Sequence, residues 1–430
     1  MHEAKQDRRI EYAGRENVAP VVLEKVPRLP VHGWTTFGRR RASTYPSLLD
    51  SPEKIITRNG RVAIQFALRC LDVGPGDRVL VPTYHCPTMI APIVRLGASP
   101  VFYPIDSAGA ARLDFLERLD VSNAKAILAA HYFGFPQKMN LLRAFADRKG
   151  LGLIEDCAHM LFGELSDGKV GAFGHYSVGS LPKFFPVPEG GCLVSNIGRL
   201  SHRQRRSPGL KSELRTCAAI LERSAHFDRL PGLNHCLKLL FAAISRLRRS
   251  GGAPIASAQK CSSEKMLESW CTEGFERESS TRIIGWAVAL MDRRRVVTAR
   301  QENYVYLASK LKTLRGARVL LPPPTPQVAP YVLPLWVDFP EPFQRAAKER
   351  GLPVFRWQLI WPSTPVIEDD VGLQWADHVL QLPCHQDLSH SDLDWICRTL
   401  HDIDADLTDR NTITKIGAIA RSNGVRHVAD

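Results

Sequence analysis

Between residues 55 and 195 short apolar runs alternate with helical patterns, and this rhythm constrains the fold more than any other feature. RVAIQFALRCL (61–71) carries Val62, Ile64, Ala67, Leu68 and Leu71 at helical spacing. RVLVPTY (78–84) reads as a short buried strand, TMIAPIVRLG (88–97) as a helix and SPVFYPI (99–105) as a strand. AKAILAAHYFG (124–134) runs from strand into loop, NLLRAFADRKG (140–150) is helical, and LGLIEDCAH (151–159) is again strand into loop. Fully apolar strands joined through helices by short connections form a mostly parallel sheet covered on both faces. The expected class is therefore α/β.

The rest of the chain reads differently. Residues 199–280 are basic, Ser-rich and irregular, with one apolar piece. One long helix is expected from Thr281 to Leu314, before PPPTP (322–326) breaks the chain. APYVLPLWVDF (329–339) and LPVFRW (352–357) read as strands, with EPFQRAAKERG (341–351) as a helix between them. SHSDLDWICRTLHDI (389–403) closes the pattern as a helix. This gives an arm (1–50), a large domain (51–198), a basic insert (199–280), a linking helix (281–320), a small C-terminal α+β domain (321–405) and a tail (406–430).

Charge narrows the function. The chain of 430 residues carries a net charge of +13, yet residues 199–265 alone hold 14 Lys/Arg against 4 Asp/Glu. The remainder is nearly neutral, which argues against a nucleic-acid binder. Within the basic stretch, LPGLNHCLKLLFAAISRLRRSGG (230–252) joins an apolar run to a cationic end. It could rest on an anionic membrane surface, although a core helix with a solvated basic terminus is the plainer reading. The ten cysteines show no C-x-x-C pair and the first 20 residues have no apolar core. Both point to reduced thiols and a cytoplasmic setting.

Four places carry chemistry. Arg58-Asn59-Gly60-Arg61 precedes a helix, whose free N–H groups and dipole suit a phosphate monoester. Glu155-Asp156-Cys157-Ala158-His159 follows the apolar run LGLI, at the carboxyl end of a parallel strand, where such sheets bind ligands. A carboxylate there can pair with a protonated ring nitrogen, and His159 could face the same ligand. Lys183 lies among Leu181, Phe184 and Phe185, just before Glu189-Gly190-Gly191, and a desolvated lysine is a capable amine nucleophile. Tyr84 and His85 follow the strand VLV and could stack on a planar cofactor.

Taken in order, these pieces resemble the DegT/DnrJ/EryC1/StrS sugar aminotransferases. Asn59–Ile64 stands at the family's S-G-T-x-A-L, and AILAAHYFGFPQKM (126–139) resembles its H-x-Y/F-G-x-P segment. Glu155–His159 matches E-D-A-A-Q/H, Gly168–Gly174 matches G-x-x-V-G-x-F-G, and Lys183 stands six residues before Glu189 as the family's lysine does.

The resemblance implies a fold-type-I enzyme dependent on pyridoxal phosphate (PLP), with no metal, acting as a homodimer on a small-molecule amino donor and a keto acceptor. It implies that Lys183 carries the cofactor and shuttles the proton, and that Asp156 pairs with the pyridinium nitrogen. Asn59, Gly60 and Arg61 would hold the phosphate with a hydroxyl from Ser177 or Ser180, and His159 would lie beside the ring. The family's stacking aromatic falls on Cys86, which leaves Tyr84 or His85 for that role. The G-x-N-x-R-M loop that reaches a partner's phosphate survives only as Ser280-Thr281-Arg282-Ile283. The lysine argues against the branch of the family that replaces it with histidine.

Overall fold

The computed structural model describes residues 24–34, 36, 45–200, 208–250, 270 and 279–423, with only the backbone of 247–250 and 410–423. The first part of the expected arm (1–23) and stretches of the basic insert (201–207, 251–269 and 271–278) lie outside the described residues.

Among the described residues up to Ser195 there are nine strands and four α-helices. They are β1 (Lys54–Thr57), α1 (Gly60–Cys70), β2 (Arg78–Pro82), α2 (Pro87–Arg95), β3 (Ser99–Tyr103), α3 (Leu113–Arg118), β4 (Ala124–Ala130), α4 (Met139–Lys149) and β5 (Gly152–Asp156). A small hairpin, β6 (Glu164–Leu165) and β7 (Gly168–Lys169), leads to β8 (Tyr176–Ser180) and β9 (Gly191–Ser195). Seven of them form one sheet in the order β1-β9-β8-β5-β4-β2-β3. β9 pairs antiparallel with both its neighbours, and the other pairings are parallel. Apolar strands such as β4 and β5 are buried on both faces, as a covered parallel sheet demands. Leu80, Ile127, Leu128, Leu153 and Ile154 pack there with Leu68 and Phe145 of the covering helices.

The remaining elements are α5 (Leu210–His226), α6 (Asn234–Ser250), α7 (Arg282–Ala289), α8 (Arg293–Lys310), β10 (Ala317–Val319), β11 (Val332–Val337), α9 (Pro340–Glu349), α10 (Gly372–His378), β12 (Val379–Pro383) and α11 (His390–Asn423). β10, β11 and β12 form an antiparallel sheet, with a second core around Leu333, Leu335, Leu380, Leu382, Ile396 and Leu400.

Four expectations need correction. The basic insert is not irregular where it is described: α5 and α6 occupy it, because 210–226 contains neither Gly nor Pro and is rich in helix formers. The helix expected from 281 to 314 is broken at Asp292, whose side chain accepts the Arg295 N–H at 3.1 Å and caps α8 afresh. LPVFRW forms no strand; a single bridge joins Phe355 to Gln381. The expected tail is helical through Asn423, as a continuation of α11.

In α5 and α6, Leu210, Leu214, Leu221, Leu239 and Leu240 are exposed, as is Leu233 just before α6. Among the described residues no helix is long and apolar enough to cross a membrane.

Candidate active site

A cavity of about 370 Å³ opens where the carboxyl ends of β5 and β8 meet the start of α1. Its wall includes Asn59, Gly60, Arg61, Asp156, His159, Ser180 and Lys183. Seven of the residues singled out from the sequence therefore converge on one space.

The start of α1 is set by Asn59, whose side chain accepts the Val62 N–H at 3.0 Å. Strand β9 passes tightly beneath this turn. A Cβ at Gly191 would come within 2.3 Å of the Asn59 carbonyl oxygen, so only glycine fits. The Glu-Gly-Gly that ends the lysine loop thus brings that loop against the helix N-terminus.

Asp156 ends β5 and is 6% exposed. Its Oδ1 accepts the Ala158 N–H at 2.8 Å. Among the described residues Oδ2 makes no hydrogen bond. Burial raises its pKa, opposed by the nearby Lys183 charge and the Ala158 N–H. Lys183 shows the complement: burial lowers its pKa and Asp156 partly restores it. Its Nζ lies 5.2 Å from the centroid of the Tyr331 ring.

His159 packs between aromatic rings, 4.5 Å from Tyr331 and 5.1 Å from Trp357 between centroids. Burial, with the Lys183 charge, holds its pKa well below the usual value, so the ring is neutral. Nδ1 accepts the Phe133 N–H at 3.2 Å, which leaves the proton on Nε2. Phe133 itself has φ of 57°, a left-handed conformation unusual for a bulky residue. Its carbonyl accepts the Tyr331 N–H at 2.8 Å, and a Cβ on the adjacent Gly134 would lie 2.7 Å from Pro330. This close approach locks the loop after β4 against the strand that brings Tyr331.

Beneath the site Glu155 is fully buried and saturated. It accepts from His131 Nε2 at 3.0 Å, from the N–H groups of Gly171, Phe173 and Gly174, and from the Ser177 hydroxyl. His131, Glu155 and Cys157 bring potential metal-ligating atoms close together. The carboxylate and His131 are already spent on these hydrogen bonds, so the cluster is a structural support.

Arg300, fully buried, reaches the Lys183 carbonyl at 2.7 Å, the carbonyls of Pro330 and Tyr331, and the Gln386 side chain. Burial lowers its pKa to about 10, which still leaves it charged.

Three sequence candidates fall elsewhere. Ser177 lies on the opposite face of β8 from Val178 and Ser180, and its one hydroxyl proton is shared between the Gly171 carbonyl at 2.8 Å and Glu155 at 3.3 Å. Tyr84 is buried against Tyr132, Trp357 and Trp375, outside the cavity wall. His85 is also buried; its Nε2 accepts the Trp361 N–H at 2.9 Å and it packs on Phe102. Cys86 and Thr88, at the start of α2, line the cavity instead, as do Arg28, Tyr331, Phe355 and Trp357. No local pattern marks those last four, because the N-terminal segment brings in Arg28 and segments far along the chain bring in the other three. A larger, open cavity of about 680 Å³ lies around Asp106, Arg112 and Asp370, away from the lysine.

The sheet order, the lysine after β8 and the second small sheet define the fold of type-I PLP-dependent transferases. Solved structures share this fold. TlmJ, an aminotransferase from Streptoalloteichus hindustanus, superposes with a TM-score of 0.57 at 22% identity, over 83% of this chain and 87% of that one. The PLP form of Spr1654 from Streptococcus pneumoniae gives 0.57 at 16% identity, over 88% and 93%. Residues 42–248 match the model of the DegT/DnrJ/EryC1/StrS aminotransferase family. It is 33% identical over 154 residues to a UDP-N-acetyl-3-dehydro-alpha-D-glucosamine 3-aminotransferase of Acidithiobacillus ferrooxidans, covering 34% of this chain and 41% of the relative. To the GDP-perosamine synthase of Vibrio cholerae it is 36% identical over 141 residues, covering 32% and 38%. To an L-glutamine:2-deoxy-scyllo-inosose aminotransferase of Micromonospora echinospora it is 29% identical over 224 residues, covering 50% and 52%. The matched stretches span about half or less of these relatives' own length.

Proposed function

We propose that this chain is a PLP-dependent aminotransferase that moves an amino group, from glutamate, onto a keto sugar carried on a nucleotide. The observation that carries the reading is Lys183 and Asp156 on the wall of one cavity, opposite a helix N-terminus. The residues fit the cofactor. A carboxylate with one uncommitted oxygen suits a protonated ring nitrogen, and the N-terminus of α1 with the Ser180 hydroxyl suits a phosphate. When bound, PLP supplies an electron sink for the carbon that bears the amino group.

The chain's own groups do the rest. Asp156, held by Ala158, stabilises positive charge at a ring nitrogen. Lys183, kept by burial below an ordinary lysine, is suited to hold and release a proton at Nζ. Neutral His159 offers an Nε2–H donor in a fixed orientation. Arg300 fixes the Lys183 backbone, so the amine moves by side-chain torsion alone. The family's names support a nucleotide-sugar acceptor; the scyllo-inosose enzyme among its relatives favours a non-sugar cyclic ketone as the second reading. Titrating the PLP-loaded protein with L-glutamate and then with either class of ketone, while following cofactor absorbance, decides between them. No spectral response to any amino donor would sink the proposal.

Two further expectations go with this reading, together with a reducing, cytoplasmic setting. We propose a homodimer. Trp286 and Leu290, one turn apart on α7 and its C-terminal cap, are 75% and 60% exposed, an apolar pair that a second subunit would cover. Light scattering at assay concentration should give twice the 48.0 kDa chain mass, and an active monomer would refute it. The exposed leucines of α6 lie beside Lys238 and Arg246, which suits weak contact with an anionic bilayer. Vesicles containing phosphatidylglycerol should co-float the protein and Leu239→Gln/Leu240→Gln should lose this. Equal behaviour with neutral vesicles would assign the leucines to another role.

A further inference from the structure

Three cations, Arg28, Arg61 and Lys183, line the cavity against one carboxylate, Asp156. Lys183 and Asp156 serve the chemistry, and Arg61 stands in the first turn of α1 with its guanidinium 3.4 Å from the Trp270 carbonyl. Arg28 has no such engagement. Its guanidinium carbon lies 5.2 Å from the centroid of the Phe355 ring. Among the described residues it forms no hydrogen bond and no ion pair.

The backbone around Arg28 is nevertheless fixed. The Lys25 N–H reaches the Gly351 carbonyl at 3.0 Å, and His385 Nε2 donates to the Pro27 carbonyl at 2.8 Å. Val26 and Val31 are each 2% exposed and anchor the segment on either side. A guanidinium laid on an aromatic face keeps its N–H donors at the edge, directed in one plane. That is the geometry for a bidentate bond to a carboxylate or a phosphate.

We propose that Arg28 is a specificity-determining residue that binds the anionic group of the substrate. The inference rests on the aminotransferase reading and names what that site selects. A ligand entering beside Phe355 meets an unpaired fork already oriented, so the cost of ordering the side chain is met before binding. The ligand chemistry is an oxyanion, from either the carboxylate of the amino donor or the diphosphate of a nucleotide-linked acceptor.

The test uses Arg28→Gln and Arg28→Lys in the PLP-loaded protein, with isothermal titration of L-glutamate and, separately, of inorganic pyrophosphate. Loss of a charge-assisted bidentate pair should weaken binding roughly tenfold or more in Arg28→Gln. Arg28→Lys should recover only part, because it keeps the charge and loses the fork. Weakening confined to glutamate assigns the donor carboxylate, and weakening confined to pyrophosphate assigns the acceptor diphosphate. Cofactor absorbance and thermal midpoint should match the wild type in both variants. If both ligands bind Arg28→Gln as they bind the wild type, the proposal is overturned while the aminotransferase reading stands. A wild-type protein that takes up no PLP would instead refute that reading.

Discussion

Lys183→Ala should abolish turnover and leave the fold in place. The side chain lines the cavity, whereas the backbone carbonyl is what Arg300 holds, so truncation removes the amine without loosening the loop. Positioned acid–base catalysis alone contributes on the order of 10²–10⁴-fold, and the loss of covalent attachment adds to this. Turnover, far-UV circular dichroism and peptide mapping after borohydride reduction check the three parts. Reduction should trap the cofactor on Lys183. A label on another lysine, or near-normal turnover by the alanine variant, would remove Lys183 from its role.

Asp156→Asn should lower turnover by roughly 10²–10³-fold, the usual loss for one preorganised electrostatic partner. The amide keeps the size and the contact to the Ala158 N–H but cannot stabilise charge on a ring nitrogen. A second readout needs no cofactor. The Asp156 charge raises the Lys183 pKa against the lowering effect of burial. Its removal should therefore move the titration of Lys183 downward, so that in apo protein amine-selective labelling of this lysine begins at lower pH. Unchanged labelling together with near-wild-type turnover would place Asp156 outside the site.

The expectations from sequence succeeded where one strand or one spacing carried the information. The fully apolar runs around Leu128 and Leu153 announced buried parallel strands, and the run ending at Asp156 placed that carboxylate at a strand's carboxyl end. The motif leaves Ser177 and Ser180 open, and the pleat favours Ser180 for the proposed phosphate contact. Residues two apart share a face, so Ser180 goes with Val178 toward the cavity and Ser177 turns to Glu155. Tyr84 and His85 lie outside the cavity wall for a related reason: the chain turns after β2, and residues beyond a strand's end keep no fixed alternation. Tyr84 is taken into a cluster with Trp357 and Trp375, residues nearly 300 positions away that no local pattern could connect to it. The break at Asp292 was missed because apolar residues continue on both sides of a capping aspartate. Arg28 and Arg300 were invisible for want of any motif; only the folded chain brings them to the lysine.

The Phe133 contacts have a mechanical meaning. One residue donates its N–H to His159 on the large-sheet side and accepts from Tyr331 on the small-sheet side. A shift of the segment that carries Tyr331 would therefore either break a 2.8 Å hydrogen bond or pull on Phe133, whose own N–H orients the imidazole. One residue thus ties the heading of the His159 proton to the position of Tyr331, where two separate loops would have left them independent.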